Sequence, residues 1–264
     1  MHELRIALDV RGMHLNRYQI QQYLNRYQLH QYSLFNSLRY LKDELYRDQE
    51  IQNCLGNNRL PWFISLDLSS QQVLTRPPPI DDEFETEICN FLENNECYAV
   101  NLSNRPLRKL KIKNVNDLNL SGCIRLSDVS ALGRVHSLNL RQCGHVTDVS
   151  ALGGVHTLSL NMCPLVRDVS ALGGVHTLNL SYCPHVRVVS ALGGVHTLDL
   201  RHCQLVRHVS ALGRVHTLNL SHCPLVSDVR ALGGVHTLDL RHCENITDVS
   251  ALSGVHTLYL DNNQ

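Results

Sequence analysis

The sequence predicts an α/β solenoid in which short coils stack along one axis. Two observations carry this prediction. The first is a 20-residue motif that repeats almost verbatim without insertions, with copies beginning at Val135, Val155, Val175, Val195, Val215, Val235 and Val255. A fixed period in this range is typical of a chain whose repeats each form one coil packed against its neighbours. The second is a Leu-x-Leu alternation in every copy, which predicts a short strand with one buried face.

Each coil is numbered from its valine, so that Val135 is position 1. The predicted core positions of that coil are Val135, Leu138, Leu140, Cys143, Val146, Val149 and Leu152. The Gly153-Gly154 pair is expected to relax the backbone where the coil turns back. Asp148 and Ser150 can hydrogen-bond backbone amides, and so we expect a short helical turn over residues 149–152.

The repeat resembles a known family. Val-x-x-Leu-x-Leu-x-x-Cys is similar to the leucine-rich-repeat signature, L-x-x-L-x-L-x-x-N/C-x-L. The tail at residues 146–152 resembles the short SDS22-like and internalin-like repeats, and the cysteine resembles that of the cysteine-containing repeats in F-box proteins. The phrase DVSALGGVHTL is similar to arrays encoded by marseillevirus-type giant viruses. The resemblance covers about residues 98–264 and implies a solenoid with a parallel β-sheet on its concave face.

The first third of the chain lacks the repeat. We expect a mainly helical unit over residues 1–76, with a strand at Leu4–Val10, two helices within residues 17–55 and a strand-like segment at Phe63–Leu68. Residues 77–97 read as a stiff proline connector and a helix from Asp81 to Glu96. Repeats then occupy residues 98–264, beginning with an irregular strand at Tyr98–Ser103. The simplest role for the helical unit is to cap the first coil, and a separate docking function is the alternative.

Composition narrows the functional classes. Lys+Arg and Asp+Glu both number 24, so the formal net charge is zero and bulk charge predicts neither nucleic acid nor a membrane surface as partner. No apolar run approaches the ~18 residues needed to span a bilayer. The N-terminus does not resemble a secretory signal. We therefore expect an intracellular, cytoplasmic protein, found in the host cell or the virion if it is viral.

Seven of the ten cysteines fall at position 9 of successive coils, from Cys123 to Cys243. Neighbouring coils lie ~4.8 Å apart, whereas disulfides prefer a Cβ separation of ~3.8 Å. Side chains stacked in parallel also point alongside one another rather than towards one another. Together with the absence of a secretion signal, this predicts a ladder of buried, reduced thiols.

The outward strand positions 5, 7 and 8 form the predicted binding surface, because Arg and Tyr are the residue types that dominate interface energetics. The candidate partner-binding residues are Asn139, Arg141, Asn161, Asn179, Tyr182, Asp199, Arg201, His202, Asn219, His222, Asp239, Arg241, His242 and Tyr259. A merely solvated face is the alternative, in which Asp199 and Arg201, or Asp239 and Arg241, neutralise each other. A separate basic stripe, Arg167, Arg187 and Arg207, could take an acidic segment of a partner where Val188 and His208 replace the usual Asp.

Histidines recur at position 2, from His136 to His256, and again at position 8. We expect both sets to stack, and the spacing of like charges should lower their average pKa. A straight stack presents ligands from one side only, whereas zinc prefers a tetrahedral set, so we predict no metal and no cofactor. His202 and Cys203 should point to opposite sides, which disfavours a nucleophilic pair.

These patterns predict a non-enzymatic module that binds an unknown protein on the concave face. One alternative is a substrate adaptor of a ubiquitin ligase, which would require an F-box near the N-terminus. An F-box begins with Leu-Pro followed by a helical pattern, and the only Leu-Pro in this region is Leu60-Pro61, which precedes a strand-like segment. Another is a structural component of a virion or other assembly. The last coil stops just after its strand, so its uncapped edge could support self-association.

Overall fold

The computed structural model describes residues 4–5, 9–10, 13–14, 62–66, 85–86, 89–90, 92–93 and 96–261. The helices predicted within residues 17–55, the proline connector and Leu60-Pro61 lie outside these residues. The chain divides into two compact units. One comprises Met1–Leu102 with Lys111–Asn116, and the other comprises Ser103–Leu110 with Asp117–Gln264.

The first unit contains short strands. They are β1 (Leu4–Arg5), β2 (Asp9–Val10), β3 (Met13–His14), β4 (Trp62–Leu66) and β5 (Glu96–Asn101). β1 pairs antiparallel with β4, β4 pairs parallel with β5, and β2 pairs antiparallel with β3 in another sheet. The segment predicted as one strand over Leu4–Val10 therefore contributes to two different sheets.

Part of the predicted helix between Asp81 and Glu96 is present. Residues 85, 86, 89, 90, 92 and 93 are helical, with the side chains of Cys89 and Leu92 buried. Glu96 itself begins β5 rather than ending the helix. The capping role proposed for this unit stays a prediction.

The second unit confirms the predicted solenoid. Parallel strands follow one another as β6 (Asn114–Asn119, of which 117–119 lie in this unit), β7 (Ser137–Asn139), β8 (Thr157–Ser159), β9 (Thr177–Asn179), β10 (Thr197–Asp199), β11 (Thr217–Asn219), β12 (Thr237–Asp239) and β13 (Thr257–Tyr259). The register places each residue opposite its equivalent in the next coil, as Leu178 is paired with Leu198 and Leu198 with Leu218. Equivalent positions therefore line up in rows across the sheet. Short parallel strands alternating with helical turns make this unit a leucine-rich-repeat solenoid.

A 3₁₀ helix follows each strand from β6 to β12. These helices span Ser130–Leu132, Ser150–Gly154, Ser170–Gly174, Ser190–Gly194, Ser210–Leu212, Arg230–Gly234 and Ser250–Gly254. Asp148 accepts a hydrogen bond from the Ser150 amide at 2.9 Å, as predicted. The two shortest helices occur where Arg134 and Arg214 replace the second glycine of the pair.

The core consists of the predicted apolar positions, stacked in rows. Val175, Leu178, Leu180 and Cys183 each expose 1% of their surface or less. Every repeat thiol from Cys143 to Cys243 donates a hydrogen bond to the position-6 carbonyl of the preceding coil, at 3.0–3.2 Å. The prediction that these thiols are buried is confirmed. Burial raises the pKa of Cys163 to about 11 and that of Cys183 to about 12, so both stay protonated at neutral pH.

The first glycine of each pair is needed for close approach rather than for backbone freedom. A Cβ placed on Gly153 would lie 2.4 Å from the carbonyl oxygen of Ala171 in the next coil. Its φ is not positive, because Gly122 is the sole glycine at positive φ among the described residues. The predicted reason for the pair, relaxation of the backbone, is therefore wrong at this position.

The last coil is less covered than the others. Leu258 and Leu260 are half-buried, whereas Leu238 and Leu240 in the coil before are fully buried. Self-association through this coil stays a prediction. Among the described residues, no helix is long and apolar enough to cross a membrane.

Candidate protein-binding surface

The outer face of the sheet carries the side chains at positions 3, 5 and 7, which alternate with the buried leucines at positions 4 and 6. Because the register is constant, these side chains form continuous rows. We call this surface the sheet face. All fourteen predicted partner-binding residues lie on it or at its edge, since the strands hold positions 5 and 7 and the following turn holds position 8.

Position 5 ends each strand. The Oδ1 atoms of Asn139, Asn179 and Asp199 accept hydrogen bonds from the backbone amide two residues later, at 2.9–3.0 Å. Asn219 and Asp239 make the same contact. This geometry turns the chain out of the sheet. These five predicted binding residues therefore have a structural role that occupies one of their acceptor atoms.

Two of the three sheet-face arginines form ion pairs within their own coil. Arg201 contacts Asp199 at 3.2 Å, and Arg241 contacts Asp239 at 2.6 Å. Burial raises the pKa of Asp239, but hydrogen bonds from Arg241 outweigh it and leave that pKa below its usual value. The neutralisation that we considered from the sequence is thus present in both coils.

Some donor groups on this face remain available. Arg141 is exposed and forms no side-chain ion pair among the described residues. The Nε atom of Arg201 is buried and has no hydrogen-bond partner among the described residues. The guanidinium of Arg241 also lies over the Tyr259 ring, 5.3 Å from its centroid. Arg141 is therefore the arginine best placed to contact a partner directly.

From Asn161 to Arg241, position 7 alternates between longer and shorter side chains. Asn161 donates a hydrogen bond from Nδ2 to the Oγ atom of Ser181 at 2.6 Å. Ser181 is fully buried and Ser221 nearly so. The partner-accessible groups of this row are thus the longer side chains of the coils on either side.

Position 8 has left-handed backbone geometry, which the sequence pattern did not predict. The residues concerned, with their φ angles, are Gln142 (60°), Met162 (59°), Tyr182 (59°), His202 (60°), His222 (57°) and His242 (61°). Interstrand hydrogen bonds hold this geometry, as the Tyr182 amide donates to the Arg201 carbonyl at 2.8 Å. One residue in the sequence could have indicated this backbone conformation, because Gly122 occupies the same position, with φ 71°.

The side chains at position 8 form a row along one edge of the sheet face. We define Met162, Tyr182, His202, His222 and His242 as the rim ladder. It is half-buried at His202 and His222 and exposed at the other three members. Its four rings stack in sequence, with centroids 4.3, 4.1 and 4.2 Å apart. Met162 and Tyr182 expose 40% and 43% of their surface. Desolvation, followed by the neighbouring histidine, lowers the pKa of both His202 and His222.

A second row borders the opposite edge. We call His136, His156, His176, His196, His216, His236 and His256 the histidine ladder. Its rings stack at 4.5–4.7 Å between centroids, which confirms the predicted stacking. The pKa of His156, His196 and His236 is lowered, first by desolvation and then by the adjacent rings. The direction agrees with the prediction, but desolvation is a larger cause than like charge.

The described residues contain no group of three or more His, Cys, Asp or Glu side chains arranged to hold a metal. In the histidine ladder the rings lie face to face, whereas zinc needs nitrogen atoms at ~2.0–2.1 Å from several directions. His202 and Cys203 also diverge as predicted. The thiol is fully buried and donates to the Leu180 carbonyl, while the imidazole stacks on the rim.

The fold and this surface together define a leucine-rich-repeat solenoid with an open sheet face. Three solved structures, all from Listeria monocytogenes, are similar to the chain. For the internalin InlF the identity is 20% over 64% of this chain and 52% of that chain, with a TM-score of 0.43. For internalin C2 the identity is 19% over 66% of this chain and 74% of that chain, with a TM-score of 0.40. For the functional domain of InlJ, described as including a cysteine ladder, the identity is 17% over 64% of this chain and 52% of that chain, with a TM-score of 0.31. The chain spans about half the length of the first and third of these structures.

No family model matches the sequence, and no curated protein matches it.

Proposed function

We propose that this protein is a non-enzymatic interaction module that binds a partner protein across the sheet face, with the rim ladder as the central contact. The supporting observation is the backbone at position 8. A left-handed conformation costs a residue with a side chain roughly 1–2 kcal/mol relative to the ordinary one, and glycine avoids this cost. Six successive coils nevertheless carry a side chain there. Strained backbone of this kind clusters at functional sites.

The chemistry of the rim ladder suits a protein partner. Tyr and Met are enriched in protein interfaces, and exposed apolar side chains are otherwise scattered singly. Met162 and Tyr182 are adjacent in the ladder and both are exposed. Stacking against His202 fixes the Tyr182 ring before any partner arrives, so little side-chain entropy is lost on binding. This pre-organisation favours a specific contact over a merely solvated surface.

The sheet face then extends the contact inward. Arg141 offers a guanidinium for a carboxylate or carbonyl of the partner, and Asn161 lies farther along the same row. The position-5 residues from Asn139 to Asp239 support these groups by fixing the strand ends. We propose an intracellular location and a partner that is neither nucleic acid nor membrane, as the balanced charge predicts.

The test uses glycine, which position 8 accepts without strain. The variant Met162→Gly/Tyr182→Gly/His222→Gly removes three side chains and keeps the backbone that Gly122 shows to be compatible. Its control is His156→Gln/His196→Gln/His236→Gln on the opposite edge. Affinity capture from the native cell, followed by titration of the purified partner, should show loss of binding for the glycine variant and retention for the control.

If the glycine variant binds the same partner with unchanged affinity, the rim ladder is not the contact. A partner that requires only the first 76 residues would instead support the docking function considered for that unit. The F-box adaptor and the structural component of an assembly stay predictions from the sequence.

A further inference from the structure

A groove runs along a different side of the coils, away from positions 5 to 8. It has a volume of about 370 Å³ and is lined by Arg187, Val188, Leu205, Arg207, His208 and Leu225, together with residues 189 and 190. These residues come from positions 11 to 16 of three consecutive coils. The same backbone segment recurs in every coil, so the groove is set apart by the side chains that these coils carry there.

The difference lies at position 14. Asp128, Asp148, Asp168, Asp228 and Asp248 occupy it in the other coils. There the carboxylate accepts the backbone amide two residues later, at 2.9–3.1 Å. Val188 and His208 cannot supply a carboxylate. Two of the three coils that line the groove have thus lost the acidic group of the repeat.

At position 13, directly before it, the central coils gain positive charge. Position 13 is Ser or Thr in the outer coils but Arg167, Arg187 and Arg207 in the central ones. Taking positions 13 and 14 together, an outer coil such as Thr147-Asp148 carries −1, whereas Arg187-Val188 and Arg207-His208 each carry +1 with histidine neutral. The array therefore has a short positive segment. The neutral pair Arg167-Asp168 precedes it, and Ser227-Asp228, which carries −1, follows it.

Within the described part of the chain, neither Arg187 nor Arg207 pairs with a carboxylate. Arg230, two positions after Asp228, shows the contrast, since it contacts that carboxylate at 2.7 Å. Apolar side chains line the same groove. Val188 is 65% exposed, and Leu205 and Leu225 are half-buried beside it. The groove therefore combines an exposed apolar side chain with the positive charge of two unpaired arginines.

We propose that this groove docks a short acidic segment of a partner protein that also carries a leucine-type side chain. The carboxylates would contact Arg187 and Arg207, whose planar guanidinium groups bind carboxylates through paired hydrogen bonds. The apolar side chain would pack on Val188, Leu205 and Leu225. Asp168 and Asp228 on either side limit the length of acidic chain that the groove accepts. This site is separate from the sheet face and does not depend on the function proposed for it.

The experiment measures fluorescence anisotropy of a labelled peptide, Glu-Asp-Leu-Leu-Asp-Glu, on the full-length protein at low salt. The decisive variant is Val188→Asp/His208→Asp, which restores the residue that five other coils already carry and so preserves the fold. We expect its affinity for the peptide to fall at least tenfold. Arg187→Ser/Arg207→Ser should lose as much. Arg134→Gly, which removes an exposed arginine outside the groove and restores the glycine of Gly154, Gly174 and Gly194, should bind as the wild type does.

A second peptide with serine in place of both leucines separates specific docking from general attraction. It should bind at least fivefold more weakly than the first. Equal binding of the two peptides, or equal binding of the wild type and Val188→Asp/His208→Asp, would overturn the proposal. Binding to vesicles of anionic lipid without binding of the peptide would also overturn it, because the groove would then recognise a membrane surface.

Discussion

Replacing Gly173 with alanine tests how closely the coils are packed. A Cβ on this residue would lie 2.3 Å from the carbonyl oxygen of Ala191. Ordinary contact begins at about 3.4 Å, so the two backbones would have to separate by roughly 1 Å. Both groups belong to the main chain, and no side chain can rotate away. Overpacking of this kind typically costs about 1–3 kcal/mol, and we expect Gly173→Ala to lie near the upper end of that range.

The chain offers two matched controls. A Cβ placed on Gly144 would meet nothing within 4 Å, and the φ of this residue is not positive. Gly144→Ala should therefore leave the free energy of unfolding unchanged or raise it by about 0.4–1 kcal/mol, through the lower entropy of the unfolded chain. Gly174→Arg should cost less than Gly173→Ala, because Arg134 and Arg214 occupy the equivalent position naturally.

Urea denaturation followed by far-ultraviolet circular dichroism gives the comparison. A lower midpoint with an unchanged slope for Gly173→Ala would show that stability has fallen without a change in the surface exposed on unfolding. If Gly173→Ala and Gly144→Ala differed by less than about 0.5 kcal/mol, the coils would not be in the close contact that this reasoning requires.

Three further predictions concern titration, reactivity and strand ends. Folding lowers the pKa of five histidines below 6.5, namely His156, His196, His202, His222 and His236. Just below pH 6.5 the unfolded chain therefore binds more protons than the folded protein. The urea midpoint should be highest above pH 6.5 and should fall as the pH decreases through that value. A second fall should follow below pH 3.8 as Asp148, Asp168 and Asp228 are protonated, and His156→Gln/His196→Gln/His236→Gln should reduce the first fall only. Iodoacetamide at pH 8 should leave Cys163, Cys183 and Cys223 unmodified until urea is added, as judged by mass spectrometry, because burial raises their pKa to between about 11 and 12; rapid labelling of the folded protein would contradict the buried ladder. Asn179→Ala should lower the free energy of unfolding by about 1–2 kcal/mol, since the buried Ser181 loses its acceptor, and an unchanged urea midpoint would show that the side chain does not hold the strand end.

The inward-facing positions could be predicted from the sequence because burial depends on a simple period. Leu178, Leu180 and Cys183 recur at intervals that leave one consistent choice of buried face, and the structure confirms it. The stacking of the histidine ladder follows from the same period. Where a constant repeat and a constant register act together, position along the chain determines position in space.

Two features could not be predicted, for different physical reasons. The left-handed backbone at Tyr182 depends on a hydrogen bond to Arg201 in the next coil, and tyrosine has no local preference for that conformation. The need for Gly153 arises from the Ala171 carbonyl eighteen residues later, so it is a contact between coils rather than a property of the turn. Both depend on particular backbone contacts between neighbouring coils, which the repeat pattern does not specify.

The candidate surface was predicted as a set of residues but not as a set of roles. The pattern identified Asn139, Asp199 and Arg201 as outward-facing. It could not show that the first two end strands, or that Arg201 is already paired with Asp199. Such roles depend on side-chain conformations within a single coil.

The constant register has a consequence for how this protein can change over generations. Because each coil presents the same junction to the coil on either side, a misaligned genetic exchange between two copies of the repeat could delete or duplicate one copy without creating a foreign junction. Each such event would shorten or lengthen the two ladders by one rung, or about 4.8 Å. The length of the proposed binding surface is therefore a trait that recombination can alter in whole steps, with no new side chain needed.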